Sequence, residues 1–452
     1  QSRRQRQMCI RDRCFSQQDI NQACQTWSNL FLNVARNCIP NKTITIRPSD
    51  KSFFTPELRR LKRKKNRLHR SAKRSNSVQD WAIFRSARND YNNKIKEAKA
   101  NDEKRRAEKL QDRESLTPEK CWRLAKNFLK KDPGHSSYPA LKVNDEIITE
   151  DLKKAEVFND FFLKSSKIDD SHIPEPDANC NVDQKLSSIT ITNKDINDLL
   201  QSLDIAKASG PDQISHVMLK KAGDAIAPSL CKLFNMSLTL GTHPKMWKQA
   251  NVVPIHKKND NAIADNYRPV SLLSCVGKLF ERAIFKYVFN FLRDTNAISL
   301  KQSGFIPGDS TGYQLTHLYH LFSEAIDKQK SIRVVFCDIS KAFDRVWHTG
   351  LIAKLSRVGV TGGLLRWFKD YLSNRQQRVV INGQCSEWGE IFAGVPQGSV
   401  LGPLLFLVYI NDLTQEVQSS EVRLFADDTI LYIIVDNPSD SVDSLNEDLA
   451  RL

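Results

Sequence analysis

Three carboxylates define the chemistry open to this chain. Asp427 and Asp428 stand side by side within Glu421 to Val435 (EVRLFADDTILYIIV), between two runs rich in apolar β-formers. Asp338 sits near the end of a third such run, Ser331 to Ile339 (SIRVVFCDI). A charge inside an apolar strand is uncommon without a partner, because an uncompensated buried anion is costly. Two adjacent anions call for a cation, and magnesium, a hard ion that prefers carboxylate oxygen, is the natural one. Asp338 is the natural third carboxylate for the pair. Taken alone, Asp427-Asp428 also fits a solvated turn, since Asp is a common turn residue.

A second group of residues suits phosphate. Lys257 follows a strand candidate, Trp247 to Ile255 (WKQANVVPI), and Arg268 precedes Pro269, which biases it to an extended conformation. The two flank one loop and could clamp a phosphate chain; two ordinary basic residues on a surface loop is the alternative. Gly394 to Ser399 (GVPQGS) reads as a tight turn, with Ser399 capping a helix that runs through Leu413. N–H groups at such a helix start attract anions, and Gln397 offers both donor and acceptor, although a plain capped turn reads equally well. Gln302 to Thr311 (QSGFIPGDST) is a glycine-bearing loop without P-loop spacing. Ala206 to Ile214 (AKASGPDQI) is a Gly-Pro turn between helices, in which Lys207 and Asp212 stand out.

The elements that must position these groups follow from periodicity. Val422, Leu424 and Ala426 alternate as a strand does, and Thr429 to Val435 is a continuous β-branched and aromatic run that predicts a buried strand. The two meet at Asp-Asp as a hairpin with its charges at the tip. Ser331 to Ile339 reads as a strand of the buried type, after which Lys341 to Trp347 (KAFDRVW) turns into a helix carrying Asp344. Helices are predicted at Ile196 to Leu203, Leu279 to Leu292, Leu351 to Val358 and Leu364 to Leu372. Leu141 to Phe162 reads as a short hairpin around Asn144-Asp145 and then a helix. Gln377 to Ile381 is a strand closed by an Asn382-Gly383 hairpin turn.

The 452 residues, 27% charged and 40% hydrophobic, suit a globular protein of two or three domains rather than a disordered one. Charge is unevenly placed. Residues 1–130 hold 33 Lys and Arg against 13 Asp and Glu, a balance of +20; residues 131–452 hold 35 against 39, a balance of −4. A basic block of this kind suits a polyanion, nucleic acid or an acidic membrane surface, and a solvated helix face is the alternative. Its densest part is Arg59 to Arg74, with Arg59, Arg60, Lys62, Arg63, Lys64, Lys65 and Arg67 in one turn after another of a helix that Thr55-Pro56 starts. A second helix places Trp81, Phe84, Ala87, Tyr91, Ile95 and Ala98 on one face, which predicts a helical hairpin with an apolar seam and a basic exterior. Ile39 to Pro48 is a candidate extended segment, and Lys130 to Pro139 and Asp169 to Asp183 are loops by composition. The ten cysteines form no Cys-x-x-Cys pair, and His317 and His320 have no nearby Cys, so a reduced, intracellular chain without structural zinc is expected. No apolar run is long enough to span a membrane. The chain starts with Gln and stops within a helical pattern, which reads as a fragment at both ends; the opening QSRRQRQMCIRDR resembles translated adapter read-through.

Together these residues resemble the reverse transcriptases of LINE-type (non-LTR) retrotransposons, in particular the jockey-like group. AKASGPD, VVPIHKK with NYRPVSLLS, QSGF, FCDISKAFDRVWH, GVPQGSVLGPLLFLVYINDL and FADD occur in family order between about Phe53 and Leu452. The resemblance implies an α/β (α+β) right-hand polymerase with fingers and palm, preceded by a basic helical region and with the thumb and the upstream endonuclease missing. With the adapter-like residues 1–14 set aside, the resemblance divides the chain into a basic helical region 15–130, an N-terminal extension with the start of the fingers 131–236, and the reverse transcriptase domain 237–452, a truncated fingers and palm. It implies that Asp338, Asp427, Asp428 and the Ile339 carbonyl hold two Mg2+ ions, with Mn2+ as a substitute. Phe343 matches the gate against a 2′-hydroxyl, Gln397 and Gly398 the motif against the incoming nucleotide, and Lys257 and Arg268 the triphosphate contacts. Asp344 is assigned to structure. Template RNA, a DNA primer and dNTPs are the implied partners, no protein partner is specified, and the nucleus is the implied place of action. A group-II-intron-like maturase, a viral RNA polymerase and a non-catalytic nucleic-acid-binding relic are the competing readings. NYRPVSLLS and the basic stretch oppose the first, Phe343 and Ala426 the second, and retention of all three carboxylates the third.

Overall fold

The computed structural model describes residues 19–39, 53–111, 138–144, 146–174, 176–180, 182–436 and 442–452. The adapter-like opening, most of the extended segment after Ile39 and most of the loop before Pro139 lie outside them. The chain forms two compact units, Asn41–Tyr138 and a larger one made of Gln1–Pro40 with Pro139–Leu452. Helix α1 (Ile20–Cys38) therefore belongs to the larger unit and not to the basic region in which the sequence expectation put it. The reason is its apolar stripe, in which Ile20, Ala23, Cys24 and Trp27 are buried in the main core and Trp27 Nε1 donates to Ser229 Oγ at 2.9 Å.

The smaller unit is the expected helical hairpin of α2 (Pro56–Ser75) and α3 (Val78–Gln111). Thr55 caps α2 by accepting from Leu58 N, and Pro56 fills the first turn, where its missing N–H costs nothing. Leu58, Ala72, Ala87 and Tyr91 are buried along the seam, and His69 packs against Trp81 and Phe84.

The larger unit begins with the hairpin β1 (Leu141–Val143) and β2 (Glu146–Ile148), then α4 (Asp151–Ser165), α5 (Asn193–Gln201), α6 (His216–Ala222) and α7 (Ala227–Leu240). Strands β3 (Gln249–His256) and β4 (Tyr267–Leu272) follow, then α8 (Cys275–Asp294), α9 (Thr311–Asp327) and β5 (Ser331–Asp338). A 3-10 turn over Ala342–Arg345 leads to α10 (His348–Arg357) and α11 (Gly362–Leu372). The predicted helix over Lys341 to Trp347 is thus only that turn, because Lys341 takes a left-handed conformation and α10 starts afresh at His348. Then come β6 (Arg375–Ile381), β7 (Gln384–Cys385), β8 (Gly389–Ile391), α12 (Leu401–Ile410), α13 (Leu413–Glu416), β9 (Glu421–Phe425), β10 (Asp428–Val435) and α14 (Val442–Arg451).

Two larger sheets carry Asp338, Asp428 and Arg268. One has the order β4-β3-β6-β7, with β8 also on β6 and β3 parallel to β6. The other is β5-β10-β9, antiparallel throughout. Residues from α1, α5, α7, α8 and α10 to α12 form the main core, centred on Trp247, Phe280, Trp367 and Tyr371. A smaller cluster of Val422, Leu424, Leu431 and Leu445 lies on one face of the second sheet. No helix of the described residues is long and apolar enough to cross a membrane.

Candidate active site

The second sheet brings the carboxylates together. β5 and β10 pair so that Asp338 lies directly opposite Asp428. Side chains so opposed have Cβ atoms about 5 Å apart, and like charges there repel. Asp427 occupies the two-residue turn that joins β9 to β10, next to the Phe425–Asp428 pair. Its carboxyl is pushed up by burial and then by the charges of Asp428 and Asp338, with Lys257 opposing. Asp427 thus feels the charges of both other carboxylates and, in the opposite sense, that of Lys257 just past β3. The three carboxylates do not close into a ligand shell: among the described residues no three His, Cys, Asp or Glu side chains are so arranged. Asp338 and Asp428 are exposed and Asp427 is half-buried.

β5 differs from the buried strand predicted for it. It is the edge of its sheet, and Phe336 is 76% exposed. Only its Val335 and Cys337 pack on the Val422–Leu424–Leu431 cluster. A continuous apolar run does not say which faces are covered; β10, with neighbours on both sides, is the central strand.

The hairpin turn is held from outside. Ala426 has φ 56°, in the left-handed region that a residue with a Cβ enters at a cost. Gln302, from the QSGF loop, is buried, and its Oε1 accepts from Ala426 N at 2.9 Å and from Gly304 N at 2.7 Å. The loop runs along β9, with Leu424 N donating to Lys301 O at 2.9 Å and Ser303 N to Leu424 O at 3.0 Å. Reading the loop only for P-loop spacing missed this role. The local signal is no more than a Gln two residues before a glycine, which pattern alone does not connect to a hairpin more than a hundred residues away.

Phe343, Asp344, Gln397 and Gly398 form a second constellation. Phe343 stacks on Phe406 and meets Phe305 edge-on. Its carbonyl accepts from Val395 N at 2.8 Å, and Gly394 N donates to Val346 O at 2.8 Å, so the GVPQG turn lies along the 3-10 turn. Gln397 Nε2 donates to Asp344 Oδ1 at 2.9 Å, and Gln397 O accepts from Ser271 N at 2.8 Å. Gly398, at φ 116°, leaves no room for a Cβ, which would stand 2.7 Å from Ser271 O. Burial pushes the Asp344 carboxyl up to about 6, against the Gln397 hydrogen bond and the charge of Lys341.

The anion site foreseen at the following helix start is occupied from within. The N-cap residue is Val400, which makes no side-chain cap, not the expected Ser399; Ser399, one position earlier, accepts from Gly402 N at 3.0 Å. The adjoining N–H groups of Val400 and Leu401 both donate to the buried carboxylate of Glu281, at 2.6 and 3.1 Å. The helix stops at Ile410 rather than Leu413.

Lys257 and Arg268 are exposed on the β3–β4 hairpin, where Arg268 pairs with Ile255 and Lys257 N donates to Asn266 O at 2.9 Å. Ile339 follows β5, 37% exposed. In the smaller unit Arg60, Arg63, Lys64 and Arg67 are exposed. Lys62 is also exposed and lies over the Phe54 ring, Lys65 lies over the Tyr91 ring, and both Lys65 and Arg59 are half-buried.

Residues 255–450 match the family described as reverse transcriptase (RNA-dependent DNA polymerase), and residues 54–112 match the female sterile protein K10 C-terminal domain. The chain is 35% identical over 252 residues to the RNA-directed DNA polymerase from mobile element jockey of Drosophila melanogaster, covering 54% of this chain and 27% of that protein. It is 35% identical over 223 residues to the probable RNA-directed DNA polymerase from transposon BS of the same species, covering 49% and 24%. A Pol polyprotein from the type-1 retrotransposable element R2 of Nasonia vitripennis is 25% identical over 247 residues, covering 52% and 23%. The aligned region is about a quarter of the length of these relatives.

Proposed function

From a chain whose residues 255–450 carry a reverse transcriptase domain, we propose an RNA-directed DNA polymerase of a non-LTR retrotransposon, which extends a primer 3′-hydroxyl with dNTPs copied from RNA. The observation that carries the reading is the direct pairing of Asp338 with Asp428, with Asp427 in the adjoining turn. On this reading the β5-β10-β9 sheet belongs to the palm and the β3–β4 hairpin to the fingers.

Asp338, Asp427, Asp428 and the Ile339 carbonyl would hold two Mg2+ ions, or Mn2+ in their place, which when bound stabilise the attacking and leaving oxygens of phosphoryl transfer. The donors are of the right kind, hard carboxylate oxygens, but among the described residues they are not closed into a shell, and bound cations would draw them together against the repulsion that Asp428 and Asp338 exert on Asp427. Lys257 and Arg268 offer exposed cations to the triphosphate. Phe343, fixed by its stack on Phe406, excludes a 2′-hydroxyl by bulk. Gln397, with its Nε2 committed to Asp344, offers its side-chain Oε1 to the incoming nucleotide. Template RNA, a DNA primer and dNTPs are the partners, and the nucleus is the place of action, since an integrating element must reach chromosomal DNA.

Primer extension on an RNA template, with dNTPs and with ribonucleotides, tests the reading. The expected outcome is dNTP incorporation that falls about a hundredfold or more in Asp427→Asn without loss of fold. Absence of incorporation by the wild-type chain while RNA remains bound would leave a nucleic-acid-binding protein in place of a polymerase.

A further inference from the structure

The carboxylate pair issues from a turn that is unfavourable by itself. Ala426 is 5% exposed and left-handed, a conformation that glycine adopts freely and alanine does not. A two-residue hairpin loop calls for a positive φ at its first position, and with alanine there the turn is held from outside by Gln302. Its single carbonyl oxygen accepts from Ala426 N in the turn and from Gly304 N in its own loop, with Gln302 itself 5% exposed, so the turn is referenced to a buried amide. Gly304 makes the approach possible: a Cβ there would stand 2.2 Å from Ala426 N and 2.7 Å from Phe425 C. The loop is in turn tied to α9, where Ser303 Oγ donates to Gln314 Oε1 at 3.0 Å in a buried contact.

We infer that Gln302 is a positioning residue for the metal-binding carboxylates: by holding the Ala426 N–H it sets the direction in which Asp427 and Asp428 leave the turn. It touches neither substrate nor metal. The inference rests on the metal reading of Asp427 and Asp428 given above. It accounts for the QSG part of the QSGF motif, which the polymerase reaction does not otherwise use: Gln for the acceptor, Ser for the tie to α9, and Gly for the close approach. A methionine at 302 keeps the length of the side chain but removes the acceptor, which strands two buried N–H groups and frees the turn.

Mn2+ binding to the full chain, read by electron paramagnetic resonance, tests this in the wild type, Asp427→Asn, Gln302→Met, Gly304→Ala and the double variant Gln302→Met with Ala426→Gly. Thermal unfolding of each is followed alongside. Gln302→Met is expected to weaken Mn2+ binding about tenfold, as for loss of one hydrogen bond to the site. Gly304→Ala is expected to do the same with the amide intact, by displacing the loop. The added glycine is expected to restore most of the binding, because it takes φ 56° at no steric cost, whereas a merely structural loss at 302 would not be repaired at 426. Wild-type Mn2+ binding in folded Gln302→Met and Gly304→Ala would overturn the positioning role. Wild-type Mn2+ binding that Asp427→Asn leaves unaltered would overturn the metal reading beneath it, a separate failure.

Discussion

At the scale of single residues, the site is built as much by side chains that hold others as by those that would touch substrate. Asp344 is the clearest case. It stands six positions after Asp338, yet its carboxylate accepts from Gln397 Nε2 instead of joining the acidic cluster. Its carboxyl rises from an ordinary 3.8 to about 6 because it is buried. A carboxyl raised on folding binds its proton more tightly in the native state. Its contribution to stability is therefore complete below about pH 3.8 and is lost as pH climbs through about 6. The shift corresponds to about 3 kcal/mol across that window. In Asp344→Asn this component is absent, so the stability difference between wild type and variant is expected to change between about pH 4 and about pH 6 and to level off above. Urea unfolding at several pH values measures it, and a constant difference would show that the carboxyl is not raised.

At the scale of elements, the motif segments are turns pressed against backbone. In AKASGPD, Gly210 lies against the start of α8, where a Cβ would come within 2.5 Å of Leu273 C and Ser274 N. Neither of these backbone atoms can swing away as the end of a side chain could. Gly210→Ala is therefore expected to destabilise the larger unit by about 1–3 kcal/mol or more, seen as a lower midpoint in urea. An unshifted midpoint would mean that the turn yields. The same principle holds GVPQG to β4 through Gly398, while Glu281 of α8 closes the start of α12. These contacts join the GVPQG turn and β4 to the helices behind them.

At the scale of the whole molecule, the basic charge and the carboxylate motifs are separated along the sequence. The excess of Lys and Arg lies in the first 130 residues, and the smaller unit presents Arg60, Arg63, Lys64 and Arg67 to solvent on α2. If these four bind RNA phosphates, replacing them all with Gln is expected to weaken RNA binding. It should also make the slope of log affinity against log salt less steep by about 0.7 for each phosphate no longer neutralised. Fluorescence anisotropy with single-stranded RNA across a salt series measures this. An unaltered slope would identify the face as solvated surface. Lys62 and Lys65 are poor choices for this test, because their ammonium groups already lie over rings of their own unit.

Much of this protein was legible in the sequence where the signal is local. The β9–β10 hairpin, the Thr55-Pro56 helix start, the basic hairpin with its seam at Ala87 and Tyr91, and the Asn382-Gly383 turn all follow from periodicity, caps and turn chemistry, which neighbouring residues settle among themselves. The tip of the acidic hairpin is shifted by one residue from the expected Asp-Asp: Ala426 and Asp427 form it, Ala426 leaves the strand, and Asp428 begins β10. What needed the tertiary structure is whatever depends on a partner distant along the chain. Residue order does not state that Asp338 pairs with Asp428, that β5 is an edge strand, or that α1 joins the main core. Nor does it state that Glu281 fills the helix start where an anion was expected, or that Gln302 holds Ala426. Buried polar groups must find hydrogen-bond partners wherever the fold delivers them, and the strand register and the packing of loop on hairpin decide which ones those are.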